Sequence, residues 1–110
     1  MPPLDIYVNN RIRVAPLERI LSGLRDLTAQ QLSCTDRRLA PKEISLRILV
    51  PEASLQIADT ELVIFAHHYP ERIQRQDTIC SSIKAYVQRV CPEAGSVEVW
   101  LQLLELGYSG

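Results

Sequence analysis

The residue whose chemistry depends most on how the chain is processed is Pro2, which follows Met1 and leads into Leu4-Asp5-Ile6-Tyr7-Val8. With Met1 removed, its nitrogen is a free secondary amine at the mouth of a sheet; with Met1 retained, it is an amide and cannot act as a base. Pro2 reads equally well as a plain strand-opening residue, since no donor is needed there. Arg47 is the second candidate. It falls in the middle of an alternating stretch, on the side opposite the apolar row Ile44, Leu46, Ile48 and Val50, where an arginine either binds a carboxylate or pairs across a subunit interface. Arg11, Arg13, Arg37 and Arg38 lie in or beside loops. His67-His68 invites a metal, but neighbouring strand residues face opposite sides and do not easily ligate one ion. Cys34, Cys80 and Cys91 form an odd set with no C-x-x-C pair, which argues against a disulfide framework and a thiolate zinc site. They read as core or helix-end residues, and a catalytic thiol at Cys34 lacks an identifiable base.

The elements that must position these groups follow from periodicity. Leu4, Ile6 and Val8 alternate with polar neighbours as a one-face strand. Leu17, Ile20, Leu21, Leu24, Leu27 and Leu32 recur at helical spacing, predicting an amphipathic helix from Pro16 to about Leu32, with Gly23 permitting close packing. Ile44 to Val50 is the second strand, and Leu55-Gln56-Ile57 is expected to form a short extra one. The near-continuous apolar run inside Glu61 to His67 suits a central strand. Ile73, Cys80, Ile83, Val87 and Val90 mark a second helix from about Arg72 to Val90, stopped by Pro92 and Gly95. Val97, Val99, Leu101 and Leu103 alternate in a last strand, and Leu106 to Gly110 is a tail.

The chain has 110 residues, 46% hydrophobic and 23% charged, with a net charge of -1. This size suits a single domain, expected over 1–110, in which a strand-helix-strand unit over 1–52 is repeated over 58–106. The near-neutral charge offers no basic field for nucleic acid. No apolar run approaches a membrane span and the N-terminus lacks a signal-peptide pattern, so a cytoplasmic protein with no membrane partner is expected. Apolar Leu101, Leu103 and Leu104 on both faces of the last strand point to self-association. The fold class is α+β: tandem βαβ units forming a four-stranded sheet with two helices on one face. A ferredoxin-like sandwich satisfies the same string of elements.

Four features resemble the tautomerase superfamily, in particular its two-unit members such as macrophage migration inhibitory factor and 5-carboxymethyl-2-hydroxymuconate isomerase. They are Met1-Pro2 leading into Ile6 and Val8; the strand Ile44-Ser45-Leu46-Arg47-Ile48 after a proline turn; Gln56-Ile57-Ala58-Asp59 before a strand ending at His67; and Val97-Glu98-Val99-Trp100 followed by Leu106-Gly107-Tyr108. The resemblance implies a cofactor-independent tautomerase or isomerase, assembled as a homotrimer, that moves a proton in a small 2-keto or 2-hydroxy-dienoate acid. Pro2 would be the catalytic base, with Arg47 holding the substrate carboxylate, and Arg38, Trp100 and Glu98 at the substrate pocket. Glu98 and Trp100 stand where the family has a pocket tyrosine and asparagine, and a buried Glu98 would favour the charged form of the proline amine. The competing expectation is a non-catalytic oligomeric binding protein on either fold.

Overall fold

Leu4, Ile6 and Val8 are wholly buried in β1 (Pro3–Val8), the strand from which the sheet is built outward. The structure is a computed structural model that describes residues 2–51 and 55–104. From β1 the chain enters α1 (Val14–Leu32), crosses a 3-10 turn (Pro41–Glu43) and returns as β2 (Ser45–Leu49). The second half runs β3 (Thr60–His67), α2 (Pro70–Gln74), α3 (Gln76–Val90), a 3-10 turn (Pro92–Ala94) and β4 (Val97–Leu104). The sheet order is β2-β1-β3-β4, with β1 parallel to β2, β3 parallel to β4, and β1 antiparallel to β3. Each strand-helix-strand unit therefore returns to its own neighbour. A ferredoxin-like sandwich would split each unit with an intervening strand, so the topology selects the tandem βαβ arrangement.

One face of the sheet is dry. Leu4, Ile6, Val8, Leu62, Ile64 and Ala66 meet Leu17, Ile20 and Leu24 of α1 and Ile79, Ile83 and Val87 of α3. Gly23 lets the two long helices approach, since a Cβ there would overlap the Tyr86 hydroxyl. Among the described residues no helix is long and apolar enough to cross a membrane.

Three expectations need correction. The first helix begins at Val14, because Pro16 falls within the first turn, where its missing N–H is not needed. The second helix is two helices broken at Arg75 (φ -105, ψ 7), and Pro70 opens the first of them. Its buried stripe is Ile79, Ile83 and Val87, whereas Ile73 and Val90 are 37% and 38% exposed. Leu55-Gln56-Ile57 forms no strand: Leu55 and Ile57 face solvent, while the Gln56 amide turns in to donate to the Tyr7 and Ala58 carbonyls at 3.3 and 3.2 Å. The tail from Leu106 onward, with Tyr108, lies outside the described residues.

Arginines from the second half close the first. α1 ends without a glycine cap, and its terminal carbonyls at Gln31 and Leu32 accept from Arg75 Nη1 (3.1 Å) and Arg72 Nε (2.8 Å). A guanidinium suits a helix C-terminus both as donor and as positive charge.

Candidate functional site

β1 opens at Pro2, which is buried and whose carbonyl accepts the Ser45 N–H at 3.1 Å. The parallel register that follows, Pro3 with Ser45 and Asp5 with Arg47, sets Arg47 roughly 10 Å further along the strand direction than Pro2 at about 3.3 Å per residue. Alternation puts the Pro2 ring on the helix side with Leu4, and Arg47 on the opposite, open face with Asp5. The two are thus not brought together side chain to side chain.

Arg47 is brought instead onto Asp5. Its Nε donates to Oδ1 at 2.9 Å and its Nη2 to Oδ2 at 3.2 Å, a bidentate pair in which the Asp5 side chain is 9% exposed and that of Arg47 60%. A carboxylate sunk into an inner strand needs such a partner.

The register carries this row across the sheet, from Arg47 through Asp5 and Val63 to Trp100. Trp100 therefore shares the open face with Arg47 but stands three strands away, roughly 14 Å at about 4.8 Å per strand. Glu98 lies two residues before Trp100 on β4, opposite Glu61, with its Oε1 3.4 Å from Lys84 Nζ. Its side chain is 46% exposed, so in the single chain it is not a buried charge.

The connection from α1 to β2 leads to the Pro2 end of the sheet. There Arg37 Nη2 pairs with Glu43 Oε1 at 2.7 Å, and the Ala40 N–H donates to Glu43 Oε2 at 2.8 Å. The Ala40 N–H first, and Arg37 second, hold the Glu43 carboxyl below its ordinary range. Arg38 is exposed, and its charge is felt at Glu71. Glu71 itself is lowered chiefly by the hydroxyl and N–H of Thr35. His67 and His68 are both exposed, and among the described residues no cluster of metal-ligating side chains forms. Cys34 and Cys91 are buried, and burial pushes the Cys80 and Cys91 thiols up.

On the helix side, an open groove of about 690 Å³ lies between α1 and β2, lined by Leu21, Arg25, Pro41, Ile44 and Leu46 among others. It holds none of the candidate residues. The residue that sequence reasoning missed is Asp5. Part of its signal was available, since a charge inside a buried strand demands a counter-charge and Arg47 is the one arginine or lysine within the described strands; the pairing itself needed the register.

No family model matches the sequence, and no curated protein matches it. Solved structures do match in shape. A macrophage migration inhibitory factor-like protein from Entamoeba histolytica superposes with a TM-score of 0.67 at 9% identity, over 98% of this chain and 95% of that one. A fused 4-OT wild type symmetric trimer gives 0.68 at 11% identity, over 97% and 91%. A member of the cis-3-chloroacrylic acid dehalogenase family gives 0.67 at 12% identity, over 94% and 75%. With the paired parallel units of its sheet, the chain has the fold of the tautomerase superfamily.

Proposed function

We propose that this protein is a cofactor-independent tautomerase or isomerase acting on a small 2-keto or 2-hydroxy-dienoate acid, with Pro2 as the proton shuttle. The observation that carries this reading is the placement of Pro2: buried, pinned through its carbonyl to β2, at the open end of an inner strand in a tautomerase fold. Its reactive atom would be a main-chain nitrogen at the strand's end, which side-chain alternation does not confine to one face. With Met1 removed, a buried secondary amine has its ammonium form disfavoured by loss of solvent and is available as a base near neutrality. The amine takes the enol O–H proton of the substrate, and the resulting prolinium returns a proton to carbon, giving the keto acid. Arg47 holds the carboxylate. Arg38 and Trp100 complete the pocket, and Glu98 lies at its margin.

The assembly proposed is a homotrimer. Val63, Phe65 and Trp100 leave the open face of the sheet only partly covered, and β2 and β4 are both edge strands; a neighbouring copy would cover the part of that face around Val63, Phe65 and Trp100, away from Arg47, and bring its own residues to a site that one chain cannot complete. The fused 4-OT structure is a symmetric trimer, which supports this reading. Light scattering after size exclusion should give about three times the 12.5 kDa chain mass.

The test of function begins with the intact mass of protein expressed without an N-terminal tag. Loss of one methionine, followed by measurable keto-enol turnover of phenylpyruvate or a muconate-like acid, is the expected result. Retained Met1 would overturn proline catalysis and leave a binding role for the same fold.

A further inference from the structure

We propose that Asp5 is the positioning residue of Arg47: it locks one edge of the guanidinium so that the other edge, unmet among the described residues, is presented as a planar fork for a ligand carboxylate on the open face of the sheet. This rests on the reading of Arg47 as the carboxylate holder. A guanidinium carries five N–H donors in a fixed plane. Asp5 takes the side edge, through Nε and Nη2. Of the three remaining donors, one on Nη1 and one on Nη2 make up the end edge, itself a complete bidentate site. The difference in exposure agrees: the Asp5 carboxylate is nearly enclosed, while most of the Arg47 side chain is open.

Position makes Asp5 suited to the task. It lies on inner strand β1, hydrogen-bonded on both sides, directly opposite Arg47 in the register. A guanidinium fixed to a strand keeps its orientation far better than one swinging on a free side chain. The pair is also electrically neutral as a unit. Recognition by the free edge therefore depends on planar two-point geometry more than on charge, which favours a carboxylate over a simple anion such as chloride.

The experiment titrates phenylpyruvate, acetate and chloride into the full chain, following the Arg47 side-chain N–H signals by NMR, in wild type and in Asp5→Ala, Asp5→Asn and Arg47→Lys. Wild-type Arg47 signals should shift with both carboxylates and not with chloride. Asp5→Ala should weaken phenylpyruvate binding at least tenfold and raise KM while kcat stays within threefold. Should that variant not fold, Asp5→Asn, which keeps the shape and one acceptor oxygen, should weaken binding at least threefold. Arg47→Lys should lose binding although its charge remains.

The proposal is overturned if wild-type Arg47 ignores carboxylates, if its signals follow protein concentration instead (the fork then being filled by a neighbouring copy), or if the Asp5 variants bind as wild type does. Turnover that depends on Pro2 but not on Asp5 sinks the positioning role and spares proline catalysis. Asp5-dependent binding without turnover does the reverse.

Discussion

Replacing Arg72 with methionine should cost this protein a large share of its stability. Arg72 is 2% exposed, and it donates from Nε to the Leu32 carbonyl and from Nη1 to the His67 carbonyl, both at 2.8 Å, with its guanidinium 4.9 Å from the centre of the Tyr69 ring. It thus ties the end of α1 to the end of β3. Methionine matches its length but leaves both carbonyls without that donor. Two hydrogen bonds from a charged donor are worth about 1.5–3 kcal/mol each, so about 3–6 kcal/mol in all. Against this stands the cost of keeping the cation out of water, which also lowers the Arg72 pKa and which methionine relieves. The net loss should be about 2–4 kcal/mol, or about 8–16 °C in Tm for a domain of this size. Arg72→Lys, a single ammonium that satisfies one carbonyl at a time, should lose about half as much. Urea and thermal unfolding followed by circular dichroism measure both. A methionine variant as stable as wild type would refute the claim that this buried cation joins the two halves.

The remaining predictions concern packing and pH. Gly23→Ala should destabilise by about 1 kcal/mol despite alanine's better helix propensity, because its methyl overlaps the Tyr86 hydroxyl; Tyr86→Phe in the same chain should recover most of that loss in urea unfolding. Gly95→Ala should cost about 2 kcal/mol or more, since Gly95 has φ +72 and a Cβ there would strike the Asp59 carboxylate, so its urea midpoint should fall well below that of wild type. Acid should weaken the fold through three carboxylates held below their ordinary range: Asp59 chiefly by the Ser96 N–H, Glu71 by the Thr35 hydroxyl and Glu43 by the Ala40 N–H. Because the unfolded chain takes up these protons first, the stabilisation is whole above about pH 5 and drains away as pH falls past about 4 toward the folded values. Urea midpoints should therefore be flat from neutrality to about pH 5 and drop below that, with Asp59→Asn flattening part of the drop.

Three of the strands were legible because each obeys a period of two against a single dry face, and the Thr60–His67 strand was legible from its continuous apolar run; Leu4, Ile6 and Val8 are buried as their alternation requires. The second helix was legible only in outline. Periodicity counted Ile73 as core because it is apolar, but it lies before the bend at Arg75, after which the buried stripe starts at Ile79; Val90 keeps the phase of that stripe but is the last residue of its helix and stays exposed. Leu55 and Ile57 misled for a related reason: two apolar residues around a polar one look like a strand, whereas here the glutamine is the inward residue, because its amide satisfies two carbonyls. Arg47 was found from its place in the pattern. Its partner was not, because which strands adjoin, and in what register, is set by tertiary pairing. Only once β1 lies parallel to β2 does Asp5 stand opposite Arg47.

The central claim is most directly tested by the ratio of kcat/KM for phenylpyruvate keto-enol turnover between wild type and Pro2→Ala, both confirmed by mass to lack Met1. A base in the reaction should be worth at least about 100-fold, so the account predicts a loss of that size or more with the oligomeric state and the fold unchanged. A Pro2→Ala protein that retains wild-type turnover, or a wild type with a free Pro2 amine and no turnover, would contradict it.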